Sequence, residues 1–383
     1  MELSDQDVER LARDGIAALQ GGRPDEARAR FETVAETGRG GAQAWQLLAM
    51  ACRAQNDAAA EEAALDRWLE VEPQAVLGLI LKGDCRAKAG AERAAAHLYK
   101  TALRFGFGQS LPPPVLAELR RAETALQQLE ARYGLHLESA LAAQGLPPDR
   151  RSPRFQQSLD IIAGRKHIYF QEPTAYFFPE LPQIQYYAPA DFAWAPAIEG
   201  ATDAIRAELQ AVLAEGMEGF RPYIRSEAHQ PRDHPLLDKT DWSALFLAEN
   251  GSLFEEAIAR CPKTWAAVQA APLPRIAGSA PTAMFSLLRA HTQIPAHSGV
   301  QNTRLTCHLP LIVPPGCRFR VGNEVRQWEE GKLLIFDDTI EHEAWNDSAE
   351  DRVVLIFDIW RPELDETERR EVAALFSIPD IQA

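Results

Sequence analysis

The residues most able to do chemistry in this 383-residue chain are histidines. Four of the nine lie between residues 285 and 362, at His291, His297, His308 and His342. His297 ends the segment QIPAH just before a turn, and His342 follows LIFDDTIE just after another. Two imidazoles at the mouths of neighbouring strands, here 45 residues apart in sequence, suit a first-row metal ion such as iron(II). We therefore take His297 and His342 as a candidate metal-binding pair.

The third ligand of such a site is missing from its usual place. A facial triad of two histidines and one carboxylate would have Asp or Glu two residues after the first histidine, where this chain has Gly299. Asp337 and Asp338 precede His342 and offer carboxylates, although capping the turn or orienting His342 is the favoured role for both. On the residues alone, two surface histidines on loops remain an alternative to a metal site.

Two further histidines lie in a polar loop. His229 and His234 belong to the segment SEAHQPRDHPLLD, with Asp233 between them. Their residue types also allow metal binding, but the surrounding residues offer no rigid geometry for it. We interpret both as solvated loop residues, and His291 as a strand-edge residue without an assigned role.

Short strands must position the candidate site. Five segments rich in β-branched and aromatic residues follow one another without a helix between them. They are MFSLLRAH, TRLTCHLPLIV, RFRVG, KLLIFDD and RVVLIFDIW, separated by the turn material GVQN, PPGC, GNEV and NDSAED. Short strands at such close spacing predict an antiparallel barrel or jelly roll.

In the segment TRLTCHLPL, alternation separates two faces of the predicted strand. Leu305, Cys307, Leu309 and Leu311 fall on one face, and Arg304, Thr306, His308 and Pro310 fall on the other. The first face, with Cys307, is predicted to be core. An arginine and a histidine inside an apolar strand need a polar partner when they are buried, and a dianionic ligand would supply it.

A 34-residue period organises the first hundred residues. Small residues recur at Gly15, Ala49 and Gly83, and bulky residues recur at Phe31, Leu65 and Tyr99. The small residue lets a second helix pack close, and the bulky residue fills the groove between successive helix pairs. The three units, over residues 8–109, resemble the tetratricopeptide repeat, with an irregular Ala-rich bundle as the alternative. The resemblance implies a peptide or protein partner; a dimerising or stabilising module without a ligand is the other interpretation.

The rest of the chain supplies a connection and the remaining domain. A helix is predicted after the proline run at residues 112–114, and QGLPPDRRSPR at residues 144–154 has the composition of a linker. We therefore predict helical repeats over residues 1–109, a capping helix and linker over 110–155, and the β-rich domain over 156–383.

Composition excludes several classes of partner and location. The net charge of −15 argues against nucleic acid, because phosphate binding needs a basic face. No run approaches the length of apolar sequence that spans a membrane, and no apolar targeting segment follows Met1, so no membrane partner is expected. The five cysteines are scattered without a CxxC pair, which favours a reducing cytoplasm over a disulfide framework or a zinc-thiolate site.

Three quoted stretches resemble one enzyme family. HSG followed by NTRLTCHL, then WEEGKLLIFDDTIEHEAW, then RVVLIFDIWRPEL, are similar in type and order to the aspartyl/asparaginyl β-hydroxylases. A weaker similarity reaches back through DWS at Trp242 and the FPELP stretch near residue 178. The family consists of non-haem iron oxygenases that use 2-oxoglutarate on a double-stranded β-helix. Its eukaryotic branch has two histidines and a glycine at the iron, so Gly299 becomes a family trait.

The resemblance implies an α+β, multidomain architecture and a set of site residues. An α-solenoid would precede a C-terminal double-stranded β-helix (jelly roll) with flanking helices. His297 and His342 would be the iron(II) ligands and the catalytic centre, with 2-oxoglutarate and O₂ as cosubstrates. Arg352 would receive the distal carboxylate of 2-oxoglutarate, since its planar fork suits a carboxylate. The whole predicted cosubstrate pocket is Trp242, Ser286, Arg304, Thr306, His308 and Arg352.

One departure from the family concerns the substrate. The animal members have a second arginine two residues before His308, where this chain has Thr306. Arg304 remains, and Arg289 and Arg320 could approach from other strands. The expected activity is β-hydroxylation of Asp or Asn in a peptide or protein recruited by the repeats. A free amino acid or small metabolite as substrate, or a non-catalytic repeat and barrel scaffold, are the alternatives.

Overall fold

The computed structural model describes residues 4–226 and 234–378. Contacts divide the chain into two compact units, residues 1–166 and 167–383. The division falls later than the boundary predicted at residues 155 and 156, because a helix beyond that boundary belongs to the first unit. Its Gln156 donates to Glu138 of the preceding helix at 3.5 Å and accepts from Arg151 at 3.1 Å.

The first unit is helical. Three successive antiparallel pairs are followed by one long helix and one short helix. The helices are α1 (Asp5–Gln20), α2 (Pro24–Glu36), α3 (Gly41–Ala54), α4 (Ala58–Val71), α5 (Val76–Lys88), α6 (Glu92–Gly106), α7 (Pro113–Ala143) and α8 (Pro153–Ile162). Proline opens α7, where the missing N–H costs no helical hydrogen bond. The predicted linker contains a 3₁₀ turn at Pro148–Arg150 and the start of α8.

The small and bulky columns of the repeat pack against each other. A Cβ added at Gly15 would lie 2.5 Å from the Phe31 ring, and one at Gly83 would lie 2.5 Å from the Tyr99 ring. Each glycine therefore sets how close its two helices approach. This confirms the helical repeat architecture. Glu61 stands in phase with the buried residues Ala27 and Ala95, and its own carboxylate is buried against Arg53 at 2.5 Å.

The second unit contains twelve strands and five helices among its described residues. The elements before the main strands are β1 (Tyr186–Tyr187), α9 (Ala195–Gly200), α10 (Thr202–Ala214), β2 (Arg221–Pro222), β3 (Trp242–Glu249), β4 (Ser252–Leu253), α11 (Glu255–Arg260) and α12 (Pro262–Val268). The remaining elements are β5 (Ala283–Leu288), β6 (Thr292–His297), β7 (Arg304–Ile312), β8 (Cys317–Val321), β9 (Glu324–Gln327), β10 (Leu334–Phe336), β11 (His342–Asn346), β12 (Arg352–Trp360) and α13 (Glu366–Phe376).

The strands form two antiparallel sheets. The large sheet has eight strands in the order β1-β10-β7-β12-β5-β3-β2, with β4 added to β3. The small sheet has four, in the order β6-β11-β8-β9. Inward side chains of the two sheets pack together, among them Trp242 and Val354 from the large sheet and Phe319 and Val321 from the small one. The two-sheet, jelly-roll architecture predicted for this unit is confirmed.

The outer face of the large sheet carries the main core of this unit. Leu305, Cys307, Leu309 and Leu311 are fully buried there against the helices α9 to α12. The alternation predicted for this strand is confirmed, including the core position of Cys307. The opposite face of β7 faces the space between the two sheets. No helix of the described residues has the length and apolar character needed to cross a membrane.

Candidate active site

The two candidate metal ligands lie side by side at the edge of the small sheet. His297 is the last residue of β6 and His342 is the first of β11, and the two are direct cross-strand partners. Their ring centroids are 4.1 Å apart. Antiparallel pairing brings residues 45 positions apart together, as two ligands of one ion require.

The backbone fixes which nitrogen of each imidazole carries the proton. The Nδ1 atom of His297 lies 2.8 Å from the Pro295 carbonyl, and that of His342 lies 3.2 Å from the Ile340 carbonyl. A carbonyl only accepts, so both Nδ1 atoms donate and both Nε2 atoms keep a free lone pair. Burial lowers the pKa of His297, and burial together with the His297 ring lowers the pKa of His342 to about 3. Both rings are therefore neutral at physiological pH, the form that binds a metal.

A carboxylate from another loop occupies the space beside Gly299. A Cβ added at Gly299 would lie 2.5 Å from the Asp338 carboxylate oxygens, and the Gly299 N–H donates to the Asp338 carbonyl at 2.7 Å. The Thr306 hydroxyl donates to this carboxylate at 3.2 Å. Burial, followed by the neighbouring Asp337 charge, raises the pKa of Asp338 to about 7. Gly299 is thus the residue that makes room for Asp338.

The donor set fits a metal with open coordination positions. Within the described ranges, no three His, Cys, Asp or Glu side chains form a metal-ligand cluster. His297 and His342 could therefore hold an ion by two nitrogens and leave its other positions to small molecules. Asp337 caps its own turn instead, since its carboxylate accepts from the Thr339 N–H at 3.1 Å and hydroxyl at 2.6 Å.

A buried arginine without an anionic partner lies on the inner face of the large sheet. Arg352 is 1% exposed, and its Nε and Nη1 atoms have no hydrogen-bond partner. The guanidinium carbon lies 4.7 Å from the centre of the Trp328 ring, a cation–π contact that satisfies no N–H group. Burial lowers the pKa of Arg352 to about 10, which still leaves it charged at neutral pH. Such a charge calls for a carboxylate ligand.

Three other predicted pocket residues share the inner face with Arg352. Ser286 and His308 lie on the strands that flank β12, where they pair with Val354 and Ile356. Trp242 donates its indole N–H to the Ser286 hydroxyl at 3.1 Å. His308 is buried with no partner for its Nδ1 atom. Its pKa is lowered far below the usual value, first by burial and then by the Arg352 charge.

The structure gives the other two predicted pocket residues protein partners. Arg304 donates to the Asp358 carboxylate at 2.8 Å and to the Ser279 hydroxyl at 2.7 Å. This places its guanidinium in an ion pair at the far end of β7 rather than beside Arg352. Thr306 is engaged with Asp338, as described above, and therefore lies next to the candidate metal position.

The two arginines considered as extra pocket residues are also paired. Arg289 donates to Asp351 at 2.6 Å, and Arg320 donates to Glu341 at 2.7 Å and to Glu343. Of the polar loop, His229 and Asp233 lie outside the described residues. His234 is half-buried with its ring centroid 6.4 Å from that of Trp242, so it lies near the site rather than in open solvent.

Sequence reasoning missed the aromatic wall of the pocket. Phe319 and Phe336 lie with ring centroids 5.0 Å and 4.8 Å from His308, and Trp328 stacks on Phe319 at 5.3 Å. Trp328, the first residue of the stretch WEEGKLLIFDDTIEHEAW, covers the Arg352 guanidinium. The available signal was the alternation of RFRV, which places Phe319 and Val321 on one face.

The two antiparallel sheets thus enclose the paired histidines and the buried arginine. Residues 199–362 match the family model for aspartyl/asparaginyl β-hydroxylase. The chain is 37% identical over 229 residues to the ornithine lipid ester-linked acyl 2-hydroxylase of Rhizobium tropici, covering 59% of this chain and 76% of that one. The chain belongs to the aspartyl/asparaginyl β-hydroxylase family, and with it to the hydroxylases.

Other relatives share shorter parts of their length. The human aspartyl/asparaginyl β-hydroxylase is 39% identical over 147 residues, which are 38% of this chain and 19% of that protein. The human aspartate β-hydroxylase domain-containing protein 2 is 29% identical over 219 residues, 54% of this chain and 55% of that one. Among solved structures, the Yersinia enterocolitica type III secretion chaperone SycD with a YopD peptide has a TM-score of 0.33 at 13% identity, covering 35% of this chain and 99% of that one.

Proposed function

We propose that this protein is an iron(II)- and 2-oxoglutarate-dependent hydroxylase. The observation that carries the proposal is the unpaired, buried guanidinium of Arg352 on the inner face of the sheet whose opposite wall presents His297 and His342. A neutral histidine pair with free Nε2 atoms supports metal binding, and a buried arginine without a carboxylate supports binding of a dicarboxylate. When bound, iron(II) would supply the activation of O₂, with oxidation of 2-oxoglutarate to succinate and CO₂ and insertion of one oxygen atom into a substrate C–H bond.

The chain's own residues would bind and orient the cosubstrate. Arg352 would pair with the distal carboxylate through the N–H groups that lack partners. Ser286 accepts the Trp242 N–H, so its own hydroxyl proton can go to the same carboxylate. His308 is neutral at working pH and would place its unpartnered Nδ1 atom toward the cosubstrate without adding charge. The rings of Phe319, Phe336 and Trp242 would exclude water from the reacting atoms.

The leading substrate is an Asp or Asn side chain of a peptide or protein. The family membership supports a hydroxylated Asp or Asn, and the helical repeats support recruitment of a polypeptide, because stacked helix pairs form extended concave surfaces. All five cysteines are free and buried, which supports a reducing compartment, and a cytoplasmic location is part of this proposal.

A lipid acyl chain is the second candidate substrate. The Rhizobium tropici relative is named for hydroxylating such a chain, and the arginine of the animal enzymes is replaced here by Thr306. Two large apolar side chains at the Gly299 turn are also exposed, which favours an apolar substrate: Phe177 at 56% and Val300 at 57%. Residues Ala175 and Tyr176 donate to the Val300 carbonyl, so Phe177 and Val300 are neighbours.

Turnover with defined substrates tests both candidates. Purified protein with iron(II), 2-oxoglutarate and O₂ would be given either Asp- and Asn-containing peptides or vesicles of an acyl lipid. Succinate release coupled to a mass gain of one oxygen atom on the peptide supports the leading proposal, and the same gain on the lipid supports the second. His297→Ala and His342→Ala serve as controls that must release no succinate. Absence of iron-dependent succinate release from the wild type with every substrate would favour the scaffold alternative.

A further inference from the structure

A fully buried ion pair lies behind the two loops that carry the histidines. The first loop, residues 299–302, follows His297, and the second, residues 337–340, precedes His342. Asp337 of the second loop is paired with Arg361, at the end of β12, at 2.6 Å. Both side chains are 0% exposed. Asp338 lies beside the candidate metal position and Arg352 lies in the proposed cosubstrate pocket. Asp337 and Arg361 belong to neither of these sites.

The hydrogen bonds of this pair join one histidine loop to the other. Gln171 donates to the Asp337 carboxylate at 2.6 Å, and its own amide oxygen accepts from Asn302 of the first loop at 2.9 Å. Arg361 also donates to the Asn302 carbonyl, at 3.3 Å. The Asp337–Arg361–Gln171–Asn302 set, which we call the loop lock, is therefore one continuous network between the two loops.

A backbone strap completes the connection. The strap, residues 171–187, reaches both loops: the Glu172 N–H donates to the Thr339 carbonyl at 2.8 Å, and the Thr174 N–H donates to the Gly299 carbonyl at 2.9 Å. Isolated bridges pair Gln171 with Ile340 and Tyr176 with Gln301. The strap precedes residues 199–362, the part of the chain that matches the family model. The position of the two loops thus depends on residues outside that match.

A contribution to the stability of the fold does not by itself explain this buried ion pair. Taking two charges out of water offsets most of what their attraction contributes, so a buried pair often stabilises no better than apolar residues of the same volume. What such a pair does well is hold its partners in one geometry, because any displacement leaves a buried charge unpaired. Here the geometry that it holds is the separation of the two turns next to His297 and His342.

We propose that the Asp337–Arg361 pair, through Gln171 and Asn302, is a positioning device that sets the two histidine loops at the spacing needed for metal binding. The proposal rests on the metal site put forward under Proposed function. Residues that orient metal ligands from behind typically change metal affinity by 10- to 100-fold when altered. Because the lock acts through turns rather than on the imidazoles themselves, we expect a fall in affinity of about 10-fold.

The test measures affinity for manganese(II) alone, without cosubstrate or turnover, by titration of the purified full chain. Asp337→Asn removes the charge of the lock, and Gln171→Met removes the side-chain link from Asp337 to Asn302 while leaving the ion pair intact. Glu61→Gln is the matched control: Glu61 also has a buried carboxylate paired with an arginine, at 2.5 Å to Arg53, but on the helices α3 and α4 of the first unit. Circular dichroism and urea unfolding report the folded fraction of each variant.

We expect a dissociation constant for manganese(II) about 10-fold higher in Asp337→Asn and Gln171→Met, and unchanged within about threefold in Glu61→Gln. If Asp337→Asn does not fold, Gln171→Met decides. Wild-type affinity in the lock variants, or an equal loss in the Glu61→Gln control, overturns the positioning role. A wild-type protein that binds no metal would instead overturn the proposed function, so the two failures are distinguishable.

Discussion

Replacing Arg352 by methionine should make the ligand-free protein more stable while abolishing cosubstrate binding. A pKa lowered from the ordinary arginine value to about 10 corresponds to about 3 kcal/mol of penalty for keeping the guanidinium charged. The cation–π contact with Trp328 offsets roughly 1–2 kcal/mol of that. Arg352→Met keeps the apolar stem and removes the charge. We therefore expect the free energy of unfolding at pH 7 to rise by about 1 kcal/mol.

The sign of this effect depends on pH in a defined way. A base whose pKa is lower in the folded protein than in the unfolded chain costs stability fully at every pH below the folded value. Above pH 10 and up to the ordinary pKa of arginine, the unfolded chain still binds the proton that the folded protein has lost, so the penalty disappears across that window. The difference between wild type and Arg352→Met should accordingly be constant near neutrality and shrink above pH 10.

The assay is urea unfolding with and without 2-oxoglutarate, and Arg361→Met is the matched control. Both arginines are fully buried, but Arg361 is paired with Asp337, so its loss leaves a buried carboxylate unpaired and should cost about 3–5 kcal/mol. 2-Oxoglutarate at 100 times its dissociation constant should stabilise the wild type by about 2.7 kcal/mol and Arg352→Met not at all. A loss of stability in ligand-free Arg352→Met as large as that in Arg361→Met would refute the reasoning, since Arg352 would then be satisfied within the protein.

Three further predictions follow from the same contacts. Gly299→Asp should not build a facial triad, because its side chain would collide with Asp338. Manganese(II) titration should show weaker binding in this single variant and recovery of binding in Gly299→Asp/Asp338→Ala. Tighter binding in the single variant would contradict the expectation. His342 should make the protein acid-sensitive. Its pKa is about 3 in the folded protein, below that of the unfolded chain, so stability should fall by about 2 kcal/mol from pH 6.5 to 4.5 through this group, and His342→Gln should remove that part of the slope in urea titrations. Gly83→Ala should force the Tyr99 ring away and lower the stability of the helical unit by about 1–3 kcal/mol in thermal unfolding. Gly90→Ala is the control, because Gly90 lies in open space at a φ of +75°. This variant isolates the cost of backbone strain without a steric clash.

Local patterns predicted the parts of the fold that depend on periodicity. The 34-residue period located the helical pairs, and the alternation of TRLTCHLPL assigned the correct faces to Cys307 and His308. Strands with a weak pattern were missed: β6 contains Pro295 and polar residues, β9 was assigned to a turn, and β11 is short. The break between α11 and α12 comes at Pro262, which disfavours helix in the residue before it.

The chemistry of the site was predictable only where one residue suffices. The histidine pair and Arg352 follow from residue type and the family resemblance, and the structure places them on facing sheets. The partners of Arg304, the Asp338 carboxylate beside Gly299 and the loop lock come from segments far apart in the chain. Alternation tells which face a side chain is on, but it does not tell which distant charge meets it there. These contacts therefore needed the three-dimensional structure.

Metal stoichiometry tests the central claim most directly. Titration of the full chain with manganese(II) under exclusion of O₂ should show one ion bound to the wild type and none to either His297→Ala or His342→Ala. His291→Ala, a histidine in the same stretch with no assigned role, should bind one ion like the wild type. Retention of the ion in both ligand variants, or its loss in His291→Ala to the same extent, would contradict the assignment of the site.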